Sequence, residues 1–195
     1  MIKINKSLRE IVEENKFVVI DNSALSPSNA SESLQRRYFE ELKELIRNDK
    51  TICTTRDVIL ESRCYNAPEQ LSKLSLRKFK NRGRSSPFKL LLRYLTPKAK
   101  QLGLIEERKK YPMTDVNLAA SAFALAYYPN KVAFLSSDRR LNELVYSTTQ
   151  EIKNGYPKGF PCLIQGQIEV YSFIQRHATF LPYVFDERRF EFRRR

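Results

Sequence analysis

Short apolar runs alternate along the chain with longer stretches in which apolar residues recur every three or four positions. "FVVI", Phe17–Ile20, is apolar at every position, as expected of a strand buried on both faces of a parallel sheet. "TICT", Thr51–Thr54, and "KVAFL", Lys131–Leu135, read as strands too, and "FPCLI" and "QIEVYSFI" are later candidates that would pair across "QGQ". Helical spacing fills the intervals. "KSLREIVEEN" puts Leu8, Ile11 and Val12 on one face, and "ESLQRRYFEELKELIRND" does the same with Leu34, Tyr38, Leu42, Leu45 and Ile46. Asn29 and Glu32 have capping-box spacing ahead of that second helix. "TTRDVILESRCY" opens a helix with Thr54 or Thr55 as N-cap and Asp57 in its first turn. "TDVNLAASAFALAYY" is apolar almost all round, so it predicts a buried helix with Thr114 as N-cap, and "SSDRRLNELVY" reads as a loop running into a helix. Strands alternating with helices predict an α/β fold with a mostly parallel sheet.

Residues 66–112 break this rhythm. Leu71, Leu74 and Leu76 precede the loop "NRGRSSP", followed by "FKLLLRYL" and a break at "TP", so the segment predicts two or three helices forming an insert. Charge changes the picture here. The formal net charge is +13, and between Lys73 and Lys110 there are 13 Lys or Arg against two acids, Glu106 and Glu107. The C-terminus, "DERRFEFRRR", is a second basic cluster, interleaved with Phe190 and Phe192. A balance this one-sided suits a polyanionic partner, although Lys and Arg on amphipathic helices are also an ordinary solvated face. The longest nearly apolar run, Leu118–Tyr128, is too short to span a bilayer, and the N-terminus lacks the continuous apolar stretch of a signal peptide. Cys53, Cys64 and Cys162 are an odd number without CxxC spacing, which suits a reducing cytoplasm. With a single His, a zinc site is not expected.

The candidate chemistry lies in four acids. Asp21 directly follows "FVVI", and Asp138 follows "VAFL" after Ser136 and Ser137. If those strands are parallel neighbours, both aspartates sit at the carboxyl edge of the sheet, where α/β proteins bind ligands. Asp115 lies in the first turn of the Ala-rich helix, and Glu61 lies two turns into the "TTRDVILES" helix, on the flank of Val58 and Cys64. Each acid alone has a plain structural account: a turn, a helix start, a loop or a salt bridge. Four carboxylates brought together would repel one another unless a divalent cation joined them, and oxygen-only ligation suits Mg²⁺ or Mn²⁺.

The blocks "VVIDNSAL", "TTRDVILES", "TDVNLAASAFALA" and "VAFLSSDRRL" resemble the four signature blocks of the PIN domain family. The resemblance runs from Phe17 to Leu141, and Asp21, Glu61, Asp115 and Asp138 match the family's four acids. It implies a three-layer α/β/α domain over residues 1–195, with a basic helical insert at 66–112 and a basic C-terminal extension at 157–195. Both additions exceed a small PIN domain. It further implies a metal-dependent endonuclease that hydrolyses single-stranded RNA, or single-stranded DNA. Asp21, Glu61, Asp115 and Asp138 would be its catalytic and Mg²⁺- or Mn²⁺-binding residues, and Ser23 and Ser136 would orient those carboxylates. Arg77, Lys78, Lys80, Arg82 and Arg84 are the expected nucleic-acid contacts, and His177 is expected to be an incidental surface residue. A non-catalytic nucleic-acid-binding protein on the same scaffold is the alternative from another class. Within the nuclease reading, the chain would be the toxin of a toxin–antitoxin pair, partnered by its antitoxin, or a member of a larger RNA-processing assembly. A HAD-like phosphotransferase ranks low, because position 23, two residues after Asp21, is Ser.

Overall fold

A computed structural model describes residues 5–25, 29–48, 52–64, 77–78, 87–105 and 113–183, with the backbone alone at 61–64 and 77–78. Its strands are β1 (Phe17–Ile20), β2 (Ile52–Thr54), β3 (Arg77–Lys78), β4 (Lys131–Ser136), β5 (Gln167–Ile174) and β6 (Thr179–Pro182). They form one sheet in the order β3-β2-β1-β4-β5-β6. The first five are mutually parallel, and β6 returns antiparallel to β5. Beyond β6, Lys6 exchanges both backbone hydrogen bonds with Phe180, so the start of the chain extends the same sheet.

The helices are α1 (Leu8–Glu14), α2 (Asn22–Leu25), α3 (Glu32–Asn48), α4 (Arg56–Cys64), α5 (Pro87–Gln101), α6 (Thr114–Ala126) and α7 (Arg139–Lys153). Neighbouring residues of β5 show that they lie on two sides. Side chains at 172 and 173 point to opposite faces of the sheet. Phe173 packs against the Tyr38 ring of α3, while the Ser172 hydroxyl accepts a hydrogen bond from Asn142 of α7. The sheet is therefore sandwiched, with α3 on one face and α7, packed beside α6, on the other.

The local rules explain most of the elements. Ser7 and Glu10 close a capping box at the start of α1: the Ser7 hydroxyl accepts from the Glu10 amide, and the Ser7 amide donates to Glu10 Oε2 at 2.6 Å. The apolar positions of α1 and α3 face inward, and Thr55 caps α4 by accepting from the Val58 amide. Helix α6 buries Val116, Leu118, Ala119, Ala120, Ala122, Phe123 and Ala126 because it is covered twice, by the sheet and by α5. Leu91, Leu95 and Ala99 supply the buried stripe of α5 at helical spacing, and Lys89, Arg93 and Lys100 stay exposed on its outer side.

Several expectations need correction. Asn29 does not cap α3. Its amide donates to Gln175 Oε1 instead. Thr114 is the first helical residue of α6 rather than its cap, with Met113 at the cap position. Helix α5 does not stop at "TP". It runs through Pro97, with the Thr96 hydroxyl bonded to the Leu92 carbonyl and the next turn anchored by buried Ala99. It ends four residues later, where Gly103 adopts φ +68 and the Leu104 amide reaches back to the Ala99 carbonyl. The insert is not purely helical either, since Arg77–Lys78 pairs with β2 as the edge strand β3. "FPCLI" is not a strand. Pro161 cannot donate to a ladder, and both backbone groups of Ile164 are satisfied by the Tyr156 hydroxyl. "QIEVYSFI" therefore takes its partners from β4 and β6.

Candidate functional site at the carboxyl edge of the sheet

Strand β1 ends at Ile20, and the next residue stays in the ladder by one bond: the Asp21 amide donates to the Leu135 carbonyl at 2.9 Å. The chain then turns into α2, the Asp21 carbonyl accepting from Ala24. This holds the Asp21 carboxylate against the sheet edge, where the residue is only 6% exposed. Its Oδ2 accepts from the Ser23 hydroxyl at 2.5 Å, the Ser136 hydroxyl at 2.8 Å and the Ser23 amide at 3.3 Å. All three donors are neutral. Burial pushes the carboxyl pKa upward, and the hydroxyl and amide bonds oppose that shift only in part.

The same two hydroxyls bind the loop after β4. Ser23 Oγ accepts from the Ser137 amide, and Ser136 Oγ accepts from the Asp138 amide, each at 2.9 Å. Each serine thus links Asp21 Oδ2 to one backbone amide, Ser23 to that of Ser137 and Ser136 to that of Asp138. Asp138 itself is exposed and caps α7, its Oδ1 accepting from the Arg140 amide at 2.7 Å and the Leu141 amide at 3.1 Å. Asn142, one turn further on, is fully buried and donates to the Ser136 carbonyl, which fixes the end of β4 from below.

Helix α6 brings Asp115 to this edge. The carbonyl of its last residue, Ala126, accepts from the Gly166 amide just before β5 begins, so its first turn lies at the opposite, carboxyl end of the strands. Asn117 confirms the direction by donating to Asp57 Oδ2, in the first turn of α4 directly after β2, at 2.5 Å. Glu61 follows Asp57 by one turn in α4, and its side chain lies outside the described residues. Among the described residues, no group of three or more His, Cys, Asp or Glu side chains is close enough to share a metal ion. Asp138 directs Oδ1 into its own helix cap.

Of the residues anticipated from sequence, Asp21, Ser23, Ser136 and Asp138 form one hydrogen-bonded unit, and Asp115 stands in the first turn of the neighbouring helix. Arg77 and Lys78 lie in β3, while Lys80, Arg82 and Arg84 lie outside the described residues. His177 is exposed in the short helical turn after β5. Three contributors were not anticipated. Asn142 and the Asp57–Asn117 pair have only weak signals in the sequence, the latter an acid spaced i,i+4 from Glu61. Gln175 has none. It follows β5, and its Nε2 donates to the Ser137 hydroxyl at 3.2 Å and the Ser23 carbonyl at 3.4 Å.

No family model matches the chain, and neither does any curated protein or any solved structure. The site therefore stands on its own geometry: a buried carboxylate held by hydroxyls, an exposed one beside it, and oxygen donors throughout. Such a donor set fits a hard dication, which is often held by one or two carboxylates together with substrate phosphates.

Proposed function

We propose that the chain is a PIN-like nuclease that hydrolyses phosphodiester bonds of single-stranded RNA, using Mg²⁺ or Mn²⁺ held at the carboxyl edge. The observation that carries this reading is Asp21: a buried carboxylate whose side-chain donors among the described residues are all neutral, coupled through Ser23 and Ser136 to the loop of Asp138. A cation at Asp21 would offset the desolvation of its charge. Asp115, in the first turn of α6, and Glu61, in α4, are the further candidate ligands. When bound, the metal supplies an acidified water and charge neutralisation at the scissile phosphate.

The chain's own residues do the rest. Ser23 and Ser136 fix the rotamer of Asp21 through Oδ2, which presets the direction of its remaining lone pairs. The Asp138 loop is tied to the same two hydroxyls, so its backbone is held in register with the Asp21 carboxylate. The exposed Lys89, Arg93 and Lys100 of α5 and the basic stretch 77–84 would hold the polyanion by its backbone. The second reading, a non-catalytic binder, draws on the use of Asp138 Oδ1 as a helix cap. Incubating the protein with RNA, single-stranded DNA and duplex DNA in Mg²⁺, Mn²⁺ or EDTA decides between them. The nuclease reading expects RNA cleavage that EDTA abolishes, whereas binding without cleavage in either metal supports the second.

A further inference from the structure

We infer that Gln175 is a positioning residue that locks the loops carrying Asp21 and Asp138 to the end of β5. Three loops leave the carboxyl edge side by side, after β1, β4 and β5. Two of them are already stitched together, since the Ser137 amide donates to Ser23 Oγ. Gln175 Nε2 spans that stitch, donating to Ser137 Oγ at 3.2 Å and to the Ser23 carbonyl at 3.4 Å. The amide is itself oriented from the other side, because Asn29 Nδ2 donates to Gln175 Oε1 at 2.9 Å. The Ser23 carbonyl, which can only accept, fixes which end of the amide faces the serines. A ring of Ser23, Ser137 and Gln175 results. Ser23 is a direct donor to Asp21, and Ser137 immediately precedes Asp138.

The backbone holds the glutamine in place. Strand β5 is paired with β4 up to Ser136↔Ser172 and with β6 up to Ile174↔Thr179. Between them, Ala178 takes a left-handed conformation at φ 48, which a non-glycine residue adopts only when its surroundings impose it. The tight turn thus pins Gln175 at the mouth of the site. The C-terminal hairpin, which lies outside the four resembling blocks, thereby acts on the spacing of the carboxylates.

The inference rests on the metal-site reading, and the test separates the two. Gln175→Met preserves length and removes both donor bonds. In the full chain without metal, amide hydrogen exchange at Ser137 and Asp138 is expected to accelerate about fivefold or more, as for loss of a hydrogen bond. In the same variant, Mn²⁺ is expected to bind about tenfold more weakly, the low end of the roughly 10–100-fold loss for a direct partner of a ligand, because Gln175 acts on Asp21 through Ser23. The melting temperature should stay close to that of the wild type. Asn29→Ala, at an exposed position, should move both readouts in the same direction by less. Unchanged exchange at Ser137 and Asp138 in Gln175→Met overturns the lock, and so does unchanged Mn²⁺ affinity in a wild type that binds Mn²⁺. If the wild type binds no Mn²⁺, the metal reading fails on its own and the exchange rates decide whether the lock exists.

Discussion

Asp138 has two separable roles, and two substitutions distinguish them. As a helix cap its Oδ1 takes the Arg140 and Leu141 amides at 2.7 and 3.1 Å. Asp138→Ala leaves both amides to water and should cost about 1 kcal/mol, within a usual range of roughly 0.5–2. For a chain of this size, about 1 kcal/mol moves the melting temperature by roughly 2–4 °C. Asp138→Asn keeps the acceptor oxygen, and Asn caps helices about as well as Asp. Only the charge at the positive end of α7 is lost, worth about 0.3–1 kcal/mol, and the exposed position puts it at the low end. Asn should therefore melt within about 2 °C of the wild type. Both variants should lose metal-dependent cleavage, because Asn cannot supply an anionic ligand. Thermal denaturation in EDTA and a cleavage assay with saturating Mg²⁺ measure the two effects independently. If Asp138→Asn cleaves at the wild-type rate, its carboxylate is not a ligand and the residue is only a cap. If Asp138→Ala melts like the wild type, the cap geometry is wrong.

Asp21→Asn should stabilise the metal-free protein at neutral pH. Burial raises the folded-state pKa of Asp21, so its favourable contribution is complete below the unfolded carboxyl pKa of about 3.9 and is lost as pH rises through the folded value. Urea denaturation in EDTA should show the variant more stable at pH 7 and level with the wild type near pH 3. An equal difference at both pH values contradicts this. Gly166→Ala should destabilise by at least about 2 kcal/mol, because a Cβ would lie 2.1 Å from the Asn130 carbonyl and 2.6 Å from that of Tyr128, both backbone atoms. A melting temperature unchanged from wild type would show that the loop can yield. Reversing Arg82 and Arg84 to Glu should lower the slope of log binding against log salt by about 0.7 for each lost phosphate contact with single-stranded RNA. An unchanged slope makes that loop ordinary solvated surface.

The strand–acid pairing was legible from local sequence. "FVVI" and "VAFL" are apolar on both faces, and parallel neighbours with those compositions bring Asp21 and Asp138 to one edge. The buried character of α6 was legible for the same reason, while its second cover, α5, was not. That helix looked interrupted because Pro97 is a helix breaker in isolation, and the buried stripe of Leu91, Leu95 and Ala99 carries it through the missing amide. Caps were read less well than helices. Asn29 has the right spacing, but a tertiary partner, Gln175, competes for its side chain. The largest omission is the β5–β6 hairpin. Its bearing on the site depends on β5 standing next to β4, which no spacing between Ser136 and Gln175 encodes. Asn142 was hidden similarly, since a lone Asn on an amphipathic helix carries no sign that it reaches the end of a strand.

The central claim is that the buried carboxylate at the end of β1 holds a catalytic divalent cation. Diffraction from crystals grown with Mn²⁺, recorded at a wavelength where manganese scatters anomalously, tests it most directly. The account predicts an anomalous peak bonded to a carboxylate oxygen of Asp21, with Ser23 and Ser136 still donating to Oδ2, and no such peak in Asp21→Asn. Crystals saturated with Mn²⁺ in which the only peaks lie away from Asp21, or in which the Asp21→Asn protein retains the peak, would contradict it.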